Sequence, residues 1–229
     1  MLFHAAHLEK FRRSTVGMWE GHSVVEWSRS IGHDLRLTRE QIPASGRHTR
    51  EHLFALAASR TVATIDACAA IFAWGGMRRD HARLFFSSSE WLLICDRVRR
   101  GELDHFQAYA HYFDLTRARK MPGCGPAYYT KLLFFLPPPG KPRGVIMDQW
   151  TARSINLLVG PPALVKVARG QQQVRYVSSR NDSEVYRRFC DAVIELARVV
   201  EDTPERTEMR LFSQGEGRGQ WREYVKAEG

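Results

Sequence analysis

Between Thr49 and Trp74 the apolar residues Leu53, Leu56, Ala57, Ile65, Cys68, Ala69 and Phe72 recur at helical spacing in an alanine-rich stretch. This predicts one long helix stopped by Gly75-Gly76. A second helix is expected from a cap at Ser88 or Ser89 to Gly101, burying Trp91, Leu92, Cys95 and Val98. A third runs from Leu103 to Lys120, with Leu103, Phe106, Ala110 and Phe113 on one face. Helices are also predicted from Ala127 to Leu136, from just after Asp148 to Gly160, and from Ser183 to Val200, the last with the stripe Val185, Phe189, Val193, Leu196 and Val200. Strand character is confined to Gln173–Val177, and a single strand makes no sheet.

The expected fold class is therefore mainly all-α. Three segments follow from the patterning: an unassigned N-terminal segment over 1–48, a helical body over 49–202, and a polar tail over 203–229 that docks through Leu211, Phe212, Trp221 and Tyr224.

Composition narrows the function classes. A chain of 229 residues that is 44% hydrophobic and 11% aromatic has enough apolar side chains for a real core and is not a disordered one. Its longest apolar run, Leu132 to Pro139, is far below the roughly 20 residues of a membrane-spanning helix. The first ten residues carry His4, His7, Glu9 and Lys10 rather than a basic-then-apolar leader, so a cytoplasmic protein with no membrane partner is expected.

Cys68, Cys95, Cys124 and Cys190 lie too far apart in sequence for a zinc or iron–sulfur motif, so no metal is expected and the thiols read as reduced and buried. Neither of the common glycine-rich nucleotide-binding motifs is present, and no cofactor is expected. A net charge of +9 suits a polyanionic partner without identifying one.

Candidate chemistry is concentrated between Lys120 and Val159. Met121-Pro122-Gly123-Cys124-Gly125-Pro126, set between two predicted helices, has the layout of a helix-hairpin-helix. The glycines permit a tight reversal, and the following helix offers unsatisfied backbone N–H groups to a phosphate. A loop from Pro137 to Gly144 leads to Gly144-Val145-Ile146-Met147-Asp148-Gln149-Trp150, with Asp148 placed 23 residues beyond Gly125 (148 − 125). As a favoured helix N-cap, Asp148 also has a purely structural explanation.

This layout resembles the HhH-GPD superfamily of DNA glycosylases. It is most similar to the bacterial proteins with an 8-oxoguanine glycosylase fold, which share the look of Gly125-Pro-Ala-Tyr-Tyr-Thr-Lys-Leu-Leu-Phe-Phe-Leu136 and Met147-Asp-Gln-Trp-Thr-Ala-Arg-Ser-Ile-Asn-Leu-Leu158. The similarity spans Glu51 to Val200. Some proteins of that branch are associated with antiphage operons that signal through cyclic nucleotides.

The resemblance implies a helix-hairpin-helix glycosylase fold and an enzyme that cuts guanine or a modified guanine from double-stranded DNA, with the base flipped out and with operon-encoded protein partners. It places Gly123, Cys124, Gly125 and Ala127 on the DNA backbone and makes Asp148 the catalytic aspartate. The family's Schiff-base lysine would fall at Ala127. Lys131, one turn further along the same face, is the substitute candidate for a lyase step. Tyr129 and Trp150 are candidates for the walls of a base pocket, and Arg78, Arg79, Arg117, Arg119, Lys120 and Arg153 for backbone tracking. Two other function classes are compatible with the same residues: a non-catalytic module that binds nucleic acid or protein, and an N-glycosidase of a free nucleotide or RNA.

Overall fold

A computed structural model describes residues 2–17, 19–170, 174–213 and 219–229. Among these residues the chain is mainly helical, with one small two-stranded sheet. It divides into two compact units, one of residues 20–144 and one of residues 1–19 with 145–229. This division runs through the expected 49–202 body.

The 20–144 unit holds α2 (Val24–Ile31), a 3-10 turn (Arg39–Gln41), α3 (Arg50–Ala58), α4 (Thr64–Trp74), α5 (Arg79–Phe86), α6 (Glu90–Arg99), α7 (His105–Arg117) and α8 (Pro126–Phe135). Every residue of α4 from Asp66 to Trp74 is buried, so α4 is the core helix, with α2, α3, α6 and α8 packed around it. Phe72 meets Phe85 edge-on at 5.2 Å, and Phe85 stacks on Trp91 at 4.2 Å.

The single helix expected over Thr49–Trp74 is two helices, because the chain turns extended at Ser59. Arg99 of α6 supplies what the sequence pattern did not reveal. Its guanidinium donates to the carbonyls of Ala57 (2.7 Å), Leu56 (3.2 Å), Val62 (2.7 Å) and Ser59. The last carbonyls of a helix have no partner within it, and Arg99 satisfies two of those of α3 while pinning the link to α4. The buried face of α7 is also rotated from the expected one: His105, Ala108, Tyr109 and Tyr112 face inward, while Phe106, Ala110 and Phe113 are half-buried.

The other unit holds α1 (Ala5–Arg12), α9 (Gln149–Val159), β1 (Val167–Arg169), β2 (Arg175–Val177), α10 (Ser183–Val199), α11 (Pro204–Phe212) and α12 (Gln220–Glu228). Here α9 is central and touches α1, both strands, α10, α11 and α12. The single expected strand has a partner: β1 pairs antiparallel with β2, with Val167 opposite Val177, Ala168 opposite Tyr176 and Arg169 opposite Arg175. Gln173, at the start of the expected strand, lies outside the described residues.

Segment 1–48, left without elements by its patterning, contributes α1 and α2. The tail lies on α9 through Leu211 and Trp221, and the Trp221 indole donates to Ser154 at 2.9 Å. Arg210 in turn donates to the carbonyls of Phe11 (2.9 Å) and Arg12 (3.1 Å) at the end of α1. Among the described residues no helix is long and apolar enough to cross a membrane.

Candidate catalytic aspartate and nucleic-acid hairpin

α7 and α8 pack against each other and are joined by residues 118–125, which completes a helix-hairpin-helix in the 20–144 unit. The two hairpin glycines play different parts. Gly123 has φ +78°, and a Cβ there would lie 2.4 Å from the His81 carbonyl oxygen, so only glycine lets the turn close against α5. Gly125 is extended, with φ −108°, and a Cβ there would meet nothing within 4 Å. The expectation that both glycines serve the reversal is thus corrected: Gly123 does so, and Gly125 is the N-cap of α8.

Pro126 follows at the first helical position, where its missing N–H costs nothing within the helix. The backbone amides of Gly125 and Ala127 meet no acceptor among the described residues, which leaves two N–H donors at the N-terminal end of α8. Cys124 is buried, and burial holds its thiol well above the usual range, so it serves the turn as a packed apolar group.

Lys131 is only 6% exposed. Its amine reaches back one turn and donates to the Ala127 carbonyl, and it lies 5.5 Å from the centre of the Tyr128 ring. The side chain of residue 131 therefore carries its nitrogen to the level of residue 127. Gly75 makes this possible, since a Cβ there would lie 2.5 Å from Lys131 Cδ.

Tyr129 is different from its expectation. It has no exposed surface, stacks on Tyr112 at 5.3 Å and meets Tyr109 edge-on at 5.1 Å, which makes it a core residue. Its position i+3 from Pro126 turns it inward with α7, where apolar burial outweighs any use as a pocket wall.

Of the neighbouring cations, Arg78 is held by Asp80 at 2.6 Å, and that hydrogen bond keeps the Asp80 carboxyl down at about 2. Lys120 pairs with Glu90 at 3.1 Å, and Arg117 lies over Phe113. Arg79 and Arg119 pair with no carboxylate among the described residues.

Asp148 and Trp150 belong to the other unit. Asp148 is the N-cap of α9 and is 8% exposed. One carboxylate oxygen, Oδ1, accepts from the amides of Trp150 (2.7 Å) and Thr151 (3.0 Å). Thr151 returns the bond by accepting from the Asp148 amide at 2.9 Å, and its own hydroxyl donates to the Ile146 carbonyl at 2.9 Å. This capping box locks the aspartate's rotamer. The other oxygen, Oδ2, accepts no hydrogen bond among the described residues. Capping therefore uses one oxygen of the side chain and leaves the other out of it. The partner missed from sequence is Thr151, and its signal was the Asp-x-x-Thr spacing.

The Trp150 ring is half-buried and already flanked by cations: the Arg222 guanidinium lies 4.3 Å from its centre and that of Arg153 4.9 Å. Among the described residues no group of His, Cys, Asp or Glu is arranged to hold a metal ion.

A family model described as putative 8-oxoguanine DNA glycosylase OGG-like protein matches residues 19–212. The chain belongs to this family. No curated protein and no solved structure matches it. The OGG-like match takes in the hairpin, Lys131, Asp148 and α10, and it reaches into the tail helix α11. At the level of the family, the activity is that of a DNA glycosylase acting on DNA.

Proposed function

We propose that the protein is an N-glycosylase that removes guanine or a modified guanine from double-stranded DNA, with the target base rotated out of the stack. The observation that carries this reading is the state of Asp148: Oδ1 is held by two α9 amides, and Oδ2 is left without a hydrogen bond. As the bond from the sugar C1′ to the base nitrogen breaks, its electron pair leaves with the base and C1′ gains oxocarbenium character. A carboxylate oxygen with a fixed direction and no competing donor stabilises that charge.

The Gly125 and Ala127 amides would hold a backbone phosphate without reading sequence, since phosphate contacts position the duplex and base contacts specify it. Lys131 is the nucleophile of the reading. Its unprotonated amine bonds to C1′ as the base leaves with the bond's electron pair and the amine's surplus proton; the C1′–O4′ bond then breaks, O4′ taking the nitrogen's remaining proton, to give the ring-opened Schiff base from which the strand is cleaved. The reading extends, through the sequence resemblance, to an antiphage role with operon-encoded partners.

The test is incubation with duplexes containing guanine or 8-oxoguanine, followed by mass spectrometry of released bases. Asp148→Asn keeps the cap, because asparagine caps about as well as aspartate. Base release should slow by about 100-fold or more, while DNA affinity and thermal stability stay near wild type. Unchanged release would make Asp148 a cap only, and no release by wild type would leave a binding module. Release from RNA or a free nucleotide but not from the duplex would reassign the substrate. Borohydride should trap a protein–DNA adduct that Lys131→Gln abolishes; base release without an adduct would make the enzyme monofunctional.

A further inference from the structure

A lysine on a helix ordinarily runs its amine out to water. Lys131 does not: its side chain is buried, and its amine turns back along α8 to the Ala127 carbonyl. Two neighbours account for this path. Gly75, at the C-terminal end of α4, leaves a channel, since a Cβ there would lie 2.5 Å from Cδ of Lys131 and 2.7 Å from Cε. Its φ of −72° is one that any residue adopts, so the lysine stem, not the backbone, calls for glycine there. Tyr128 supplies the other wall, with its ring centre 5.5 Å from the amine.

Tyr128 is half-buried beside Ala127, and its ring is fixed at two points. The Arg78 amide donates to its hydroxyl, and His81 of α5 meets the ring edge-on at 6.5 Å. Burial pushes the phenol's pKa up, which keeps the ring neutral. The face of a neutral aromatic ring is electron-rich and attracts a cation.

We propose that Tyr128 is a positioning residue for the Lys131 amine, holding it over the ring face at the level of residue 127, with Gly75 as the channel through which the stem reaches it. The Schiff-base role of that amine rests on the glycosylase reading, whereas its placement by the ring does not. As the amine bonds to C1′ its nitrogen becomes cationic, and the ring face that holds the ammonium form stabilises this charge too. The other charged or titratable groups on the packed elements are engaged elsewhere. Arg50 of α3 lies over Trp74 and Phe134, Asp66 stands at the opposite end of α4 and accepts from His33, and Arg78 pairs with Asp80 at the start of α5. Burial keeps the Cys124 thiol and, on α7, the Tyr112 phenol neutral.

The test uses the full chain with isotope-labelled lysine, in which the ε-methylene resonance of each lysine follows the charge on its amine. The Lys131 signal is identified by its loss in Lys131→Gln. Tyr128→Leu keeps the site apolar and removes the ring face, so the Lys131 titration midpoint should fall by about half a pH unit. Tyr128→Phe keeps the ring and should restore the wild-type midpoint. Gly75→Ala leaves the ring untouched and displaces the stem: the cross-relaxation between the Lys131 ε-methylene and the ring protons of residue 128, present in wild type and Tyr128→Phe, should vanish, with the melting temperature near wild type. This variant also carries the test if the leucine variant does not fold.

Borohydride trapping on DNA is measured across pH beside these titrations. Its plateau rate should fall about two- to five-fold in Tyr128→Leu, with the profile moved to lower pH by the same half unit, and stay near wild type in Tyr128→Phe. A wild-type midpoint in folded Tyr128→Leu, equal displacement in the leucine and phenylalanine variants, or cross-relaxation that survives Gly75→Ala would overturn the proposal. Shifts of midpoint and cross-relaxation as expected, with no adduct in wild type, would keep Tyr128 as the residue that places the amine and remove the lyase step from the glycosylase reading.

Discussion

α4 and α9 are the central helices of their units, but they are built from different chemistry. The buried stretch of α4 has one acidic side chain, Asp66, which accepts from His33 at 2.9 Å and from the Arg36 amide at 3.4 Å; the other buried residues are apolar apart from the Cys68 thiol. The buried set of α9 includes Thr151, Arg153 and Ser154, each hydrogen-bonded to another part of the chain. Non-directional burial holds α4 in place and would tolerate small rotations. Directional bonds hold α9, so the axis and rotation that aim Asp148 are set by Ser154 to Leu211, Arg153 to Val225 and Asn156 to Val165. The difference separates a helix that stabilises from a helix that orients.

The largest effect expected is on α4. Phe72→Ala should lower unfolding free energy by about 3–5 kcal/mol in urea titrations, with base release per folded molecule unchanged. Lost turnover in the folded fraction would break the contrast.

Next is the hairpin, where Gly123→Ala meets both a positive φ and the His81 carbonyl. It should cost about 1–3 kcal/mol from the backbone conformation alone and abolish DNA affinity, while Gly125→Ala leaves the melting temperature within a degree or two. Equal effects of the two glycines would remove the distinction drawn between them.

Ser154→Ala sharpens the α9 side. It leaves the Trp221 indole without its acceptor and the Leu211 carbonyl without a donor, at about 1–3 kcal/mol. Unlike Phe72→Ala, it should also slow base release, because the aim of Asp148 depends on the rotation of α9.

The smallest effect is a pH dependence in the 20–144 unit. Burial, with a smaller contribution from His52, lowers the pKa of His48, whose Nε2 meets the Gln41 carbonyl at 3.1 Å and whose Nδ1 has no partner. The unfolded chain then binds the proton more readily. The stability from His48 is present above about 6.5 and is lost as pH falls through the lower folded value. Unfolding between pH 7 and 5 should show this loss, and His48→Gln should flatten it.

Sequence reading located most of the helices from α4 to α10 because their apolar periodicity reflects burial on one side, and it located Asp148 because an N-cap before an apolar run is a local signal. It missed the break at Ser59, since the carbonyl acceptors there are filled by Arg99, some 40 residues away. It missed β1 because three residues hold no period of their own. Tyr129 and Trp150 read alike as candidate walls of a base pocket, yet one lies in the core and the other is flanked by arginines.

The sequence by itself determined the all-α class, the hairpin, the cap at Asp148 and the resemblance to glycosylases, because each depends on residues within a few turns of one another. Only the tertiary structure decided which glycine the turn needs, that the Lys131 amine returns to Ala127, and that Arg153 and Arg175 both donate to Gly229. Those outcomes depend on contacts between segments, where a neighbouring carbonyl or an absent Cβ sets the available space.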